Sequence, residues 1–255
     1  FGFDEEILGD AIAAVSRQGA LHLSGLHMYA GTQILDARVL LTQWTHALVL
    51  AAQVGREIGR PLTTIDLGGG LGIPYLASDA ALNLQEVTAG VRELIDRRTA
   101  DPMLRDARVI VEPGRYLTGY AGVYLMAVNS SKMSRGSRFV IADGGMHHHL
   151  GASGNLGQVI KRDYPIVAAT QLDAPTRPEP TFLCGPLCTP LDTLGRQTPL
   201  PDVAAGDLIA VLQSGAYGLT ASPIGFLSHP TPAEVLVNNG AARRIRERAP
   251  SAQII

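Results

Sequence analysis

Three segments of the 255-residue chain set residues capable of chemistry beside glycine. They are Gly25-Leu26-His27-Met28-Tyr29-Ala30-Gly31-Thr32-Gln33, Ile65-Asp66-Leu67-Gly68-Gly69-Gly70-Leu71-Gly72 and Val111-Glu112-Pro113-Gly114-Arg115-Tyr116. Each follows a short apolar stretch suited to a strand. In parallel α/β folds ligands bind at the carboxyl ends of strands, so three such ends can face one site. Glycines there let backbone N–H groups come close to a phosphate, and Arg115 offers a bidentate partner. Taken singly, the glycine run is a tight turn and the Glu-Pro-Gly-Arg run a surface turn. The triple glycine lacks the lysine and Ser/Thr of a P-loop, and no Gly-x-Gly-x-x-Gly opens a helix, which argues against a nucleotide.

Two further groups could react. Cys184 and Cys188 are the two cysteines. No second ligand pair with suitable spacing accompanies them, so a zinc site is not expected. His147, His148 and His149 are consecutive, and adjacent strand residues point to opposite faces, which disfavours metal and leaves a substrate-loop or a structural role open. Composition narrows the partners. With 21 basic against 23 acidic residues and a net charge of −2, nothing steers the chain onto nucleic acid or an anionic membrane. No apolar run approaches the roughly 20 residues of a membrane span, and no basic-then-apolar leader opens the sequence. Two cysteines make no disulfide framework, so a reducing, cytoplasmic compartment is expected. Lys132 and Lys161 are the only lysines.

The elements that position these residues alternate over the first 118 residues. Asp4 can cap a helix with Ile7, Leu8, Ala11, Ile12 and Val15 at helical spacing, ended by Gly19. Leu21 to His27 suits a strand. Asp36 caps a long helix carrying Leu40, Leu41, Trp44, Leu48, Ala51 and Ile58, stopped by Gly59 and Pro61. Thr63 to Leu67 is a β-branched strand, Asn83 and Glu86 open a helix to about Arg98, and Arg108 to Val111 reads as a buried strand. After Gly119 short strands at 121–128, 138–142, 165–169, 181–184, 207–212 and 233–237 predict an antiparallel β domain, with the basic stretch Ala241 to Arg248 as a solvated helical end. Three parallel strands are too few for a closed eight-stranded barrel and would leave edges unpaired.

At these residues the sequence resembles the fold-type III pyridoxal-phosphate decarboxylases, the ornithine, diaminopimelate and arginine decarboxylase group. The resemblance spans Phe1 to about Val237. It also rests on Phe139 to Met146 (Phe-Val-Ile-Ala-Asp-Gly-Gly-Met), Cys184 to Asp192 (Cys-Gly-Pro-Leu-Cys-Thr-Pro-Leu-Asp), Gly206-Asp207-Leu208, Ser214 to Gly218 and Pro232 to Val237, in the family's order. It implies an α/β plus β fold. Residues 1–118 would form the second half of a (β/α)8 alanine-racemase-like barrel, and residues 119–255 a C-terminal antiparallel β domain, with about 216–230 returning to the barrel.

The resemblance also implies pyridoxal 5'-phosphate as cofactor and a homodimer with shared active sites. Glu112 matches the family's carboxylate beside the pyridine nitrogen, which keeps the ring protonated as an electron sink. Gly68, Gly69, Gly70, Gly114, Arg115, Tyr217 and Thr32 match its phosphate cup. Cys188 matches the cysteine that reprotonates the substrate carbon across the dimer interface, and Asp192 the acid near the partner's substrate.

Three departures refine this expectation. The Schiff-base lysine lies upstream of Phe1-Gly2-Phe3 in the family, and neither Lys132 nor Lys161 stands in its context, so the N-terminal strands and that lysine are expected to be missing here and this chain alone to be inactive. The ring-stacking histidine is replaced by Tyr29, whereas His27 is retained. The Arg-Pro element of diaminopimelate enzymes is replaced by His147, His148 and His149 in a segment running to Gln158, and Thr189 stands where enzymes that bind a distal amine carry an acid. The implied reaction is therefore decarboxylation of an amino acid or derivative, free or carrier-bound, other than diaminopimelate or ornithine. The sequence looks closest to decarboxylases found with polysaccharide-export and antibiotic-assembly systems. A lysine-less non-catalytic or regulatory homologue, and a racemase on the same barrel, are the alternatives.

Overall fold

The structure, a computed structural model, describes residues 2–156 and 161–249. Phe1 and Gln158, quoted above, lie outside them. The chain divides into two compact units, Phe1–Tyr116 and Leu117–Ile255.

In the first unit α1 (Leu8–Ser16), β1 (Gly25–His27), α2 (Ala37–Glu57), β2 (Thr64–Asp66), α3 (Leu84–Ala100) and β3 (Arg108–Ile110) alternate. The three strands form a parallel sheet in chain order, with Leu26 opposite Ile65 and Ile65 opposite Val109. α2 begins where the Asp36 carboxylate accepts the Arg38 N–H at 2.8 Å, satisfying an otherwise orphaned donor. Its buried face carries Leu40, Trp44, Leu48 and Ala51. It stops before Gly59, whose φ of 70° suits a residue without a side chain. Asn83 caps α3 through the Gln85 and Glu86 N–H groups. Ile65 and Leu67 of the sheet pack with Val87 and Leu94 of α3 and the apolar face of α2 in one core.

The N-terminal helix differs from expectation. The Asp4 side chain makes no cap bond, a 3-10 turn occupies Glu5–Ile7, and α1 ends at Ser16 with only Ile12 buried. β1 begins at Gly25 rather than Leu21, because only residues 25–27 find ladder partners in β2; Leu21 is exposed. The strand expected to be buried at 108–111 is an exposed edge. Among the described residues β3 pairs with β2 alone, and Val109 and Val111 stay partly exposed.

A short α4 (Gly114–Thr118) ends the α/β pattern. The second unit contains β4 (Tyr124–Ser134), β5 (Ser137–Ala142), β6 (Ile166–Ala168), β7 (Thr181–Cys184), β8 (Thr193–Gly195) and β9 (Leu208–Val211) in one sheet, ordered β6-β9-β4-β5-β7-β8. β4 pairs with β9 through its first half and with β5 through its second. Expected to end at 128, it runs to Ser134, because Arg135 and Gly136 take left-handed dihedrals and close a two-residue hairpin. The sheet is not purely antiparallel, since β5 and β7 run parallel. The basic tail is a strand rather than a helix. β11 (Ala241–Arg246) pairs antiparallel with β10 (Glu234–Asn238), across Asn239 and Gly240 at φ 49° and 78°. That Asn-Gly pair is the favoured sequence of a tight hairpin turn.

Candidate active site

In the first unit the three strand ends meet. β1 delivers His27, β2 delivers Asp66, and the chain beyond β3 delivers Glu112. The ligand atoms of these three side chains all lie within 4.8 Å of one another, and His27 Nε2 stands 3.7 Å from Glu112 Oε2. The parallel ladder continues past the strands and fixes the backbone beneath them. The Met28 N–H donates to Asp66 O at 3.0 Å, the Leu67 N–H to Ile110 O at 3.0 Å, and the Glu112 N–H to Gly68 O at 2.9 Å. Asp66 turns one carboxylate oxygen back to the Gly68 N–H at 3.0 Å, shaping the start of the glycine run.

Close approach explains the glycines. A methyl group on Gly68 would run into the Met28 carbonyl oxygen, and one on Gly69 into that of Glu112. The run therefore threads between its two neighbouring strand ends at backbone distance. Gly70 lies against the Gly31 turn, with its carbonyl taking the Ile34 N–H at 2.8 Å. That turn exposes Thr32 and leaves Tyr29 half-exposed. Gly114 differs: no atom lies within 4 Å of where its Cβ would be, while its N–H donates to Glu112 O at 2.9 Å. Gly114 thus contributes space rather than a donor. Arg115 is oriented by Tyr75, whose hydroxyl takes an N–H from Nη1 at 2.6 Å and whose ring lies 5.5 Å from the guanidinium carbon. Tyr75 and Asp66 were not among the sequence candidates. Asp66 sits inside a quoted motif, whereas Tyr75, 40 residues from Arg115, gave no local signal.

This donor set fits pyridoxal phosphate. Carboxylates at one end can meet a protonated ring nitrogen. A cradle of glycine backbone, the open space at Gly114 and the held guanidinium of Arg115 can meet the phosphate.

The second unit gathers the remaining candidates. Cys188 is exposed on the turn between β7 and β8, and Cys184 is half-buried, with burial pushing its thiol pKa up. Asp192 is only 2% exposed. It accepts the Met146 N–H at 2.6 Å and the Leu187 N–H at 2.8 Å, and burial raises its carboxyl above the usual range. Tyr217 takes a left-handed φ of 54° on the segment between β9 and β10, with its carbonyl near Gly151.

All three histidines are buried. His148 Nε2 lies 2.8 Å from Pro230 O and so carries the proton, which leaves Nδ1, 3.0 Å away, to accept from the Tyr124 hydroxyl. His149 Nδ1 accepts the Ala152 N–H at 3.1 Å. The His147 ring lies 3.8 Å from that of His148 and 5.1 Å from that of His229, centroid to centroid. Burial is the first cause that pushes His147 down to about 3 and His149 to about 4, and it lowers His148 as well. All three are neutral at physiological pH.

Residues 1–119 match the family described as pyridoxal-dependent decarboxylase, pyridoxal binding domain. The whole chain is 37% identical to an L-glutamyl-[BtrI acyl-carrier protein] decarboxylase from Niallia circulans, of which it covers 60%. It is 31% identical over 88% of its length to a diaminopimelate decarboxylase from Methanothermobacter thermautotrophicus, of which it covers 50%. The crystal structure of diaminopimelate decarboxylase from M. jannaschii in complex with L-lysine matches the entire chain with a TM-score of 0.83 and 25% identity, over 56% of that protein. Along its whole length the chain is similar to the pyridoxal-dependent decarboxylases, and residues 1–119 match their pyridoxal binding domain. It spans between half and three fifths of the length of these relatives, and its identity to the carrier-protein decarboxylase exceeds that to the diaminopimelate enzyme. Among the described residues no helix is long and apolar enough to cross a membrane.

Proposed function

We propose that the full-length protein is a pyridoxal-phosphate-dependent decarboxylase of an amino-acid derivative carried on a protein or other tether, acting as a cytoplasmic homodimer with shared sites. The observation that supports it most is the convergence of His27, Asp66 and Glu112 beside the Gly68–Gly70 run, with Arg115 held nearby by Tyr75. In this reading the three parallel strands belong to a (β/α)8 barrel whose other strands and Schiff-base lysine lie outside these 255 residues.

Pyridoxal phosphate, when bound, supplies the electron sink that makes loss of CO2 possible. Glu112 would hold the proton on the ring nitrogen, because a neighbouring opposite charge favours the protonated form. A carboxylate so placed would favour the transition state over the ground state, the contribution expected of one electrostatic group. Tyr29 offers its ring for stacking. Arg115, the Gly68–Gly70 backbone and Thr32 would hold the phosphate, with space left by Gly114; the family resemblance gives Tyr217 the same role. Cys188, an exposed thiol, would be the group that supplies a proton on the substrate side.

Asp192, His147 and His148 shape the substrate side. A neutral, buried histidine segment offers no fixed cation to a distal carboxylate, and Thr189 offers no acid to a distal amine. Both features suit a substrate whose far end is uncharged, as in a thioester or amide linkage, and the similarity to the L-glutamyl carrier-protein decarboxylase supports the same reading.

The test is kinetic. Glu112→Ala in the full-length protein should lower kcat about 10²-fold, the order expected for one electrostatic catalytic group, with cofactor affinity less affected. Arg115→Ala should instead weaken cofactor binding, with activity recovering at high cofactor concentration. Near-wild-type kcat in a folded Glu112→Ala protein would reduce the Glu-Pro-Gly-Arg segment to a turn. Carrier-bound and free amino acids assayed side by side would decide the substrate class.

A further inference from the structure

We propose that Asp192 is a positioning residue that locks the Cys188 loop to the turn entering the histidine segment, so that thiol and histidines are placed as one body. The proposal rests on the decarboxylase reading for its catalytic consequence, though not for the lock itself. The two carboxylate oxygens of Asp192 serve two different loops. One takes the Met146 N–H at 2.6 Å, and the other takes the Leu187 N–H at 2.8 Å.

Backbone bonds extend the lock on both sides. The Gly185 N–H donates to Asp192 O at 3.0 Å, the Asp192 N–H to Thr189 O at 3.1 Å, and the Thr189 N–H to Leu187 O at 2.9 Å. Cys188 is therefore flanked by two residues bound into the same closed loop, although the thiol itself is exposed. On the other loop the Gly145 carbonyl takes both the His148 N–H at 3.0 Å and the His149 N–H at 3.1 Å, so fixing the turn at Gly145 and Met146 fixes the start of the histidine segment.

Space as well as bonding is given over to this carboxylate. A methyl group on either Gly145 or Gly185 would overlap it, so both loops are built around Asp192. Among the described residues no ion pair compensates the charge, and it is buried at a cost that raises its carboxyl pKa. Charge-assisted bonds to backbone N–H groups are stronger than neutral ones. With both oxygens so occupied and 2% exposure, Asp192 acts through Cys188 rather than on substrate. A misplacement of about 1 Å in such a loop can cost on the order of 10²-fold in rate.

Hydrogen–deuterium exchange on the full-length holoenzyme, read by mass spectrometry with residue resolution, tests the lock without any variant. In the wild-type protein the Met146 and Leu187 amides should show protection factors that agree within about threefold, because one carboxylate holds both. In Asp192→Asn the amide nitrogen cannot accept, so one bond is lost outright. Both amides should then exchange about 10- to 100-fold faster, the range for a bond to a charged group, while those of β4 and β9 do not change. In the same variant kcat should fall at least about tenfold with KM changed less than about threefold. Independent exchange of the two amides in the wild type overturns the lock. A raised KM at unchanged kcat overturns positioning in favour of substrate contact, and kcat within twofold of wild type despite lost protection also overturns it. A wild-type protein that decarboxylates none of the substrates would defeat the decarboxylase reading, while the exchange data would still judge the lock.

Discussion

Replacing Gly70 by alanine separates the cost of building the glycine cradle from the cost of using it. Gly70 takes a φ of 93°, in the range that L side chains rarely adopt, and its Cβ would stand 2.8 Å from the Gly31 carbonyl oxygen and 3.0 Å from the Ile34 Cδ1. Ordinary contact begins near 3.5 Å, so the Gly31 turn must retreat or the Gly70 backbone must shift. A left-handed alanine costs about 1–2 kcal/mol, and overpacking against backbone adds about 1–3 kcal/mol. The expected destabilisation is about 2–5 kcal/mol, or roughly 4–20 °C in Tm for a chain of this size.

Gly114→Ala is the matched control. Nothing lies within 4 Å of the added methyl, so the Tm should move by less than about 2 °C. Its methyl would fill the space assigned to the phosphate, and cofactor affinity should fall about tenfold or more. Thermal unfolding by circular dichroism and a spectroscopic titration with pyridoxal phosphate read the two effects on full-length protein. A Gly70→Ala protein with wild-type Tm would refute the close crossing of the two turns. A Gly114→Ala protein with unchanged cofactor affinity would remove Gly114 from the cradle.

The other expectations are narrower. Borohydride reduction of the full-length protein with pyridoxal phosphate, followed by peptide mapping, should label neither Lys132, which is exposed on β4, nor Lys161, whose Nζ is bound to Asn155 Oδ1; a stoichiometric label at either would overturn the assignment of that lysine to another segment. Mixing Cys188→Ala with Glu112→Ala subunits should restore part of the activity through hybrid dimers, and exchange of subunits without recovery would refute shared sites. Stability should fall as pH drops from about 6.5 towards 4. The buried histidines bind protons in the unfolded state at their ordinary pKa but resist them when folded, with His147 pushed down to about 3 and His149 to about 4. Urea midpoints at pH 7.5 and 5 in the wild type and in His147→Leu should show a shallower fall in the variant, and equal slopes would remove His147 from the effect.

Much of the first unit was legible because its signals are local. Asp36 and Asn83 announce helix starts through their own side chains. The period of Leu40, Trp44, Leu48 and Ala51 announces a buried helical face, and the ends of β1, β2 and β3 carry His27, Asp66 and Glu112 in recognisable runs. The second unit was read less well where polar sequence hides a strand. Ser130, Ser131 and Lys132 give no alternating pattern, yet β5 extends β4 through them, and the arginines of β11 form a strand because Asn239 and Gly240 turn them back onto β10. Exposure misled in the same way at β3, where apolar residues suggested burial but an edge position leaves Val109 and Val111 partly exposed.

What the sequence by itself determined was the inventory: which glycines, which carboxylates, which thiol, and the order of the motifs that carry the family resemblance. What only the tertiary structure decided was who holds whom. Tyr75 on Arg115, Tyr124 on His148, and Asp192 bridging Met146 and Leu187 join residues 40, 24 and up to 46 positions apart. Such pairings leave no local trace, because a hydrogen bond across the fold depends on where two backbones are brought together, and that is set by the sheet and its core rather than by the residues that make the bond.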